Sequence, residues 1–244
     1  MRFNSPTPNE AVVEVPAGTR VYLAKEFLRS SKFSRDFIPK YNGAFLQRLV
    51  SGRLWDLHID GSNENDILRL SGSDPYGRFE FLEIKKGHFF FIRLQNLAAY
   101  SFGKGGRFRR TISLFDPVRW ITKTAFGVVV EGPAILLFYG AGIAHKSMGE
   151  EDYVFSDQLI GFDAGKKFQV KSLNPDKKSF FAVLMNAISA SVCMEFPRGT
   201  NSIIRTVRSE SISRLSLIPR LIFWGILVAY LIEKLVLKWT YIEV

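Results

Sequence analysis

Three segments of this 244-residue chain align with one another without gaps, and this internal repeat limits the possible folds more than any other feature. The segments are residues 16–30, 85–100 and 147–162. Each carries a glycine, then an aromatic–aliphatic pair, then a leucine. The equivalent positions are Gly18, Gly87 and Gly149, then Tyr22-Leu23, Phe91-Ile92 and Tyr153-Val154, then Leu28, Leu97 and Leu159. Because glycine reaches positive φ cheaply, we expect each copy to form a glycine turn, a short strand, a polar turn and a second strand.

Short apolar runs around the repeats predict further strands. These runs alternate or are bounded by Gly, Pro or Asn, and they cover residues 55–59, 79–84, 126–130, 134–139, 168–173, 180–185 and 191–196. An aromatic content of 14% also favours β structure. The predicted fold is therefore mainly β, a double-stranded β-helix or sandwich built from internal repeats, with a C-terminal helix.

The pattern predicts three regions along the chain. Residues 1–200 form the β domain, with an insertion at about 29–66 in which residues 41–50 have helical spacing. Residues 201–216 are predicted to form a basic amphipathic linker helix, because their aliphatic residues recur at helical spacing with arginines opposite. Residues 217–239 are predicted to form a hydrophobic membrane-anchor helix.

The anchor prediction depends on residues 221–232, which contain no charged side chain and lie between Arg220 and Glu233-Lys234. Twelve helical residues span only about 18 Å, but the stretch from Arg220 to Lys238 spans about 27 Å, close to a hydrocarbon core of about 30 Å. The residues expected to contact the membrane are Arg220, Leu221, Phe223, Trp224, Leu227, Leu231 and Trp239. The alternative for so short a run is a helix buried in the protein.

Charge sets the expected orientation of this anchor. The chain has a net charge of +10, and five arginines precede the apolar run within residues 198–220. A basic flank faces the cytoplasm, so we expect a single-pass membrane protein with a cytoplasmic N-terminal domain. The first fifteen residues lack the apolar core of a secretory signal, and none is expected.

Residues 11–28 and 83–196 together resemble the altered-inheritance-of-mitochondria 24 family, which has a TRAP-like β domain. The resemblance is carried by GHFFFIRLQNLAAYSF at 87–102, by residues 128–170 and by SFFAVLMNAISASVCMEF at 179–196. Gly149-Glu150 and the stretch 154–163 stand in the places of the family's glycine–acid and "V-D-x-x-L-V-A-F-D" motifs. The resemblance implies a double-stranded β-helix, no catalytic residues and a link to membrane organisation.

The chain also departs from that family. Residues 174–179 replace its glycine-rich "FGGEG" segment, and residues 29–66 and the apolar tail are outside its usual pattern. Membrane association is thus expected from the resemblance and, separately, from the tail.

A basic patch is the most suggestive candidate for binding. Its predicted members are Lys104, Arg107, Arg109, Arg110, Arg205, Arg208 and Arg214. Basic residues interleaved with Phe108 could hold single-stranded RNA by phosphate contacts and stacking, or could contact anionic lipid. The segment 103–110 lacks the spacing of a phosphate-binding P-loop, and a plain basic hairpin loop is the simpler interpretation.

The sequence contains no catalytic constellation, cofactor fingerprint or metal-ligand set that can be placed. Asp56, His58 and Asp60 alternate on a predicted strand and are interpreted as one solvated polar face. Cys193, the single cysteine, is interpreted as a small buried hydrophobe.

We therefore expect a non-enzymatic, membrane-tethered β scaffold or assembly protein. Its expected partners are membrane lipids and either further copies of itself or another membrane protein. The alternative is a module that binds nucleic acid or a small ligand, with the C-terminal helix packed on the protein.

Overall fold

The fold was analysed in a computed structural model, which describes a large part of the chain before residue 207. The described residues are 2–32, 37–41, 48, 53, 55–61, 66–109, 118–119, 122, 124, 127–150, 152–171 and 193–206. Within them the protein is mainly β, as predicted, and the pairings between strands are antiparallel.

The described residues form nineteen strands and two 3-10 turns. The strands are β1 Arg2–Thr7, β2 Glu10–Val15, β3 Arg20–Leu23, β4 Leu28–Lys32, β5 Ile38–Lys40, β6 Asp56–Asp60, β7 Asp66–Ser71, β8 Gly77–Ile84, β9 Phe89–Ile92, β10 Leu97–Phe102, β11 Arg107–Arg109, β12 Val128–Glu131, β13 Ala134–Ala141, β14 Ile143–Ser147, β15 Tyr153–Phe155, β16 Leu159–Asp163, β17 Gln169–Lys171, β18 Cys193–Glu195 and β19 Asn201–Arg205. The 3-10 turns are Lys25–Phe27 and Leu94–Asn96.

These strands make four sheets. Sheet A has the order β1-β2-β7-β4, and sheet B has the order β5-β6-β3-β10-β13-β8. Sheet C has the order β11-β12-β9-β16-β19-β14, and sheet D has the order β15-β18-β17. Neighbours within a sheet are often distant in sequence, so the fold depends on long-range pairing.

Three apolar cores join the sheets face to face in a sandwich-like arrangement. The A–B core contains Ala11, Val13, Leu68 and Leu70 of sheet A with Val21, Leu23, Ile59 and Leu137 of sheet B. The B–C core contains Tyr22, Tyr100, Leu136 and Phe138 of sheet B with Ile92, Val130, Ile160 and Ile203 of sheet C. The C–D core contains Phe91, Val129 and Phe162 of sheet C with Val154 and Met194 of sheet D.

The central strands of sheets B and C are therefore buried on both faces. Successive side chains of a strand point to opposite faces, so Leu136 and Phe138 enter the B–C core while Leu137 enters the A–B core. Double burial explains why strands such as β13 read as continuous apolar runs rather than as alternating ones.

The predicted linker helix at 201–216 is wrong at its start, because Asn201–Arg205 is strand β19. Ile203 and Ile204 are adjacent and enter the B–C and C–D cores respectively, which a strand between two cores requires. The part of that prediction at 207–216 lies outside the described residues, as do the anchor at 217–239 and the strand predicted at 180–185.

The predicted insertion at about 29–66 is not separate from the sheets. It supplies most of β4, all of β5 and β6, and the first residue of β7. The helical spacing at 41–50 falls mainly outside the described residues.

Candidate functional site

A buried ionic cluster lies on the inner face of sheet B. Asp56, on β6, is 1% exposed. Its Oδ2 accepts a hydrogen bond of 2.6 Å from the Tyr100 hydroxyl and lies 2.7 Å from Nη2 of Arg48. Its Oδ1 accepts a hydrogen bond of 2.6 Å from Nε of Arg53. Both carboxylate oxygens are thus held by donors from separate parts of the chain.

The two arginines of this cluster reach further partners. Arg48 Nη2 donates to the Tyr100 hydroxyl over 3.0 Å, and the Arg48 guanidinium lies 5.8 Å from the Phe108 ring centre. Arg53 Nη1 donates to the backbone carbonyl of Leu97. The cluster therefore ties residues 48 and 53 to strands β6 and β10.

Electrostatics keep Asp56 ionised in this buried place. Burial alone would raise the pKa of Asp56, but the charges of Arg53 and Arg48 and hydrogen bonds from Arg48 and Tyr100 lower that pKa below its usual value. The interpretation of Asp56 and His58 as part of a solvated polar face is wrong. His58 is 7% exposed, and its ring centre lies 5.3 Å from that of Tyr22. Of the three, Asp60 at the end of β6 is half-exposed, and its Oδ1 lies 2.8 Å from Nε of Arg20 and 3.3 Å from Nε2 of His58.

Part of the predicted basic patch forms a hairpin edge of sheet C. Arg107 and Arg109, on β11, both donate from Nε to Oε2 of Glu131, at 2.9 and 3.0 Å. These hydrogen bonds lower the pKa of Glu131. The Arg109 guanidinium also lies 4.6 Å from the Phe89 ring centre. One carboxylate thus offsets part of the charge of this edge.

The same hairpin does not present an aromatic ring for base stacking. Phe108 packs against the B–C core, with its ring 5.0 Å from those of Tyr100 and Phe102. Among the other predicted members, Arg205 lies on β19, which β12, β9 and β16 separate from β11. The patch members Arg110, Arg208 and Arg214 lie outside the described residues.

A second arrangement of arginines surrounds the turn at residues 156–158. Arg93 follows β9, and its Nη2 donates to the carbonyl of Ser156 at 2.6 Å and to that of Thr122 at 3.3 Å. On the other side of β16, the backbone N–H of Arg205 donates to the carbonyl of Gln158 at 2.7 Å. Burial and the nearby charge of Arg205, partly opposed by Asp157, lower the pKa of Arg93 to about 10. The sequence does not predict the contacts of Arg48 with Tyr100 or of Arg53 with Leu97, nor the proximity of Arg93 to Arg205. In each case the two residues are far apart in the chain.

The repeat glycines differ in backbone conformation. Gly18 and Gly87 have φ of +72° and +81°, the left-handed region that glycine favours. Gly149 is not in that region, and its N–H donates to Oδ2 of Asp152 at 2.8 Å.

The predicted membrane-contact residues between 220 and 239 lie outside the described residues. Within the described part of the chain, no helix is long and apolar enough to cross a membrane. The described residues also bring together no group of three His, Cys, Asp or Glu side chains suited to a metal ion. Cys193 is buried, and burial raises the pKa of its thiol.

Comparison with known proteins gives a similarity of fold. No family model matches the chain, and no curated protein sequence matches it. The crystal structure of protein SPYM3_0169 from Streptococcus pyogenes is similar, with a TM-score of 0.54 and 14% sequence identity. The match covers 94% of this chain and 98% of that one. At this identity the likeness extends to the fold alone.

Proposed function

We propose that this protein is a non-enzymatic scaffold whose β domain is tethered to a membrane by its C-terminal apolar segment. The observation that carries the proposal is the run of twelve residues at 221–232 without a charged side chain, between Arg220 and Glu233-Lys234. Exposure of such an apolar run to water is unfavourable. A hydrocarbon core can bury the run, and the lipid phosphates on either side of the core can pair with the nearby cations Arg220 and Lys234.

The described domain is consistent with a tether because its sheets enclose many of their apolar side chains in three cores of their own. Strand β19 ends at Arg205, sixteen residues before Leu221. Insertion of residues 221–232 would tether the domain through these residues, and the arginines before the anchor would place the domain in the cytoplasm.

The tether is tested by comparing the full chain with the Leu227→Arg variant in cells. A charge at the middle of the apolar run costs about 2.5–3.5 kcal/mol of insertion free energy, so we expect Leu227→Arg to move the protein into the soluble fraction. Leu227→Phe is the matched control and should stay with the membrane. The tether is refuted if Leu227→Arg and a chain lacking residues 217–244 are both recovered in the membrane fraction to the same extent as the full chain.

The fold we propose for the domain is a β-helix-like sandwich of three repeats. Support comes from equivalent backbone hydrogen bonds at the polar turn of each copy. The N–H groups of Phe27, Asn96 and Gln158 donate to the carbonyls of Ala24, Arg93 and Phe155, at 3.2, 3.3 and 3.0 Å.

Strand register supports the same proposal. Leu23 pairs with Ala99, and the equivalent Ile92 pairs with Gly161. A register shift also follows the aligned leucine in each copy, between Leu28 and Ser30, Leu97 and Ala99, and Leu159 and Gly161. Membership in the altered-inheritance-of-mitochondria 24 family remains our proposal on the sequence motifs quoted above.

Self-association is the partner interaction we propose for the scaffold. Strand β5 is an edge of sheet B, where Ile38 and Trp55 are each 61% exposed. Exposed apolar side chains beside a sheet edge favour contact with another chain. Light scattering of the detergent-solubilised protein should show an oligomer that Trp55→Glu weakens and the control Tyr153→Glu does not. An unchanged molar mass for Trp55→Glu would remove this edge from the interface.

Nucleic-acid binding is the weaker candidate. The Phe108 ring packs against the B–C core, and Arg107 and Arg109 pair with Glu131. The hairpin therefore has fewer groups available for base stacking and phosphate contacts with single-stranded nucleic acid. Salt-dependent RNA binding that disappears when Arg107, Arg109 and Arg110 are neutralised would reverse this order.

A further inference from the structure

Three buried hydrogen-bond donors around the turn at 156–158 are left without partners in the described structure. They are Nε of Arg93, Nε of Arg205 and Oγ of Ser156. Ser156 is 0% exposed, so its hydroxyl is not solvated from the surface. Buried polar groups in folded proteins are nearly always paired with protein, water or a ligand. Three such donors at one turn therefore indicate a partner outside the described residues.

Strand pairing in sheet C brings Arg93 and Arg205 to the same turn. Strand β16 lies between β9 and β19, and Arg93 and Arg205 leave those two neighbours at the end where β16 begins. Backbone hydrogen bonds fix both residues there, from Arg93 N to Ile160 O at 2.9 Å and from Arg205 N to Gln158 O at 2.7 Å. The hydrogen bond from Arg93 Nη2 to Ser156 O at 2.6 Å holds that guanidinium against the turn.

The charges at this turn favour an anion. Burial lowers the pKa of both arginines, and their mutual repulsion adds to the effect on Arg93. Asp157 attracts both guanidinium groups, and Asp74 attracts Arg205. Neither arginine forms an ion pair with a carboxylate within the described residues. A bound anion would relieve the repulsion between the two guanidinium groups and accept hydrogen bonds from their Nε atoms.

We propose that Arg93, Arg205 and Ser156 form a binding site for a phosphate-type oxyanion. Guanidinium groups bind phosphate oxygens with directed N–H donors, and a tetrahedral anion has enough oxygens for donors from three residues. The ligand is a free phosphate or the terminal phosphate of a lipid headgroup. The proposal does not depend on the membrane tether, since the site lies entirely within the described β domain.

Titration calorimetry of the full chain with inorganic phosphate, at constant ionic strength and with chloride as the reference anion, tests the site. We expect saturable binding that Arg205→Lys weakens at least tenfold, because lysine keeps the charge but lacks the Nε donor. Arg198→Gln is the matched control, since Arg198 precedes β19 at its other end and pairs with exposed Glu150. Absence of saturable phosphate binding by the unaltered protein would overturn the proposal, whatever the variants do.

Ser156→Ala gives a readout that a merely structural role would not produce. Because the Ser156 hydroxyl has no partner in the described fold, its removal should leave the melting temperature in phosphate-free buffer unchanged or higher. Phosphate affinity should nevertheless fall by roughly three- to tenfold. An unchanged phosphate affinity in both Ser156→Ala and Arg205→Lys would place any binding elsewhere and overturn this site.

Modification of Arg93 and Arg205 by phenylglyoxal, mapped by mass spectrometry, distinguishes the two sources of phosphate. Protection by inorganic phosphate alone assigns a free anion. Protection by vesicles of phosphatidic acid as well, but not by phosphatidylcholine, assigns a lipid headgroup. Equal modification under all conditions, together with calorimetry that shows no binding, would leave no role for these arginines in anion recognition.

Discussion

The hydroxyl of Tyr100 donates a 2.6 Å hydrogen bond to Oδ2 of Asp56 on the face of sheet B that meets sheet C. The two residues are forty-four positions apart, and strand β3 lies between their strands in the sheet. The same hydroxyl accepts a hydrogen bond from Arg48, so it connects the anion and a cation of the buried cluster.

Tyr100→Phe should therefore destabilise the fold although it keeps the ring. The substitution leaves Asp56 and Arg48 each with one fewer partner in a buried place, which costs about 1–3 kcal/mol of the free energy of unfolding. Chemical denaturation measures this loss. Tyr153→Phe is the control, because Tyr153 is exposed on β15 and should change stability by less than about 0.5 kcal/mol. Equal stability of the two variants would mean that the cluster contributes nothing.

Removing the buried anion should cost more than removing an exposed one. Asp56→Asn leaves Arg48 and Arg53 buried without their counter-ion, and we expect a loss of about 3–5 kcal/mol. Asp60→Asn breaks the half-exposed pair with Arg20 and the 3.3 Å contact with Nε2 of His58, and should cost about 0–1 kcal/mol. Urea denaturation of both variants checks the comparison, and a larger loss for Asp60→Asn would contradict it.

Stability should depend on pH through His58. Burial lowers the pKa of His58, and the charges of Lys40 and Arg20 add to this while Asp60 opposes it. The unfolded chain binds a proton near pH 6.5, before the folded His58 does. This contribution to stability is therefore present above about pH 6.5 and is lost as the pH falls through the lower folded pKa.

The free energy of unfolding, measured between pH 7.5 and 5.5, should decrease toward acid, and His58→Gln should reduce that slope. His145→Gln at an exposed position of β14 should leave the slope unchanged. A slope in His58→Gln equal to that of the unaltered protein would assign the pH dependence to other groups.

The repeat proposal predicts matched costs at two glycines. A Cβ at Gly18 or Gly87 would meet nothing within 4 Å, so alanine there suffers only from positive φ. We expect Gly18→Ala and Gly87→Ala each to cost about 1–2 kcal/mol. Gly149→Ala should cost less, because Gly149 lacks positive φ and its Cβ would lie 3.4 Å from Oδ2 of Asp152. Thermal unfolding that ranks Gly149→Ala as the most costly would contradict this account of the turns.

The sequence predicted the class of fold and many strand positions, because short apolar runs between turn residues report strands directly. Residues 79–84 and 134–139 fall within β8 and β13. The pattern failed where a strand is buried on both faces, as at Ile203 and Ile204, since adjacent aliphatic residues there resemble a helical stripe.

The buried sites were harder to predict than the strands. Asp56 and His58 alternate along the strand as residues of a solvated face do. Burial of Asp56 is possible because Arg48, Arg53 and the sequence-distant Tyr100 bind its carboxylate. The turn with Arg93 and Arg205 likewise depends on the pairing of β16 with β9 and β19, which no local pattern encodes.

The most direct test of the membrane-tethered scaffold is fractionation of cells that contain the full-length protein, with a high-salt wash followed by an alkaline carbonate wash. The account predicts recovery in the membrane fraction and retention through both washes, because the apolar run at 221–232 would be inserted in the hydrocarbon core. Release by salt would mean that the arginines alone hold the protein to the surface. Release at either wash, or recovery in the soluble fraction from the start, would contradict the tether.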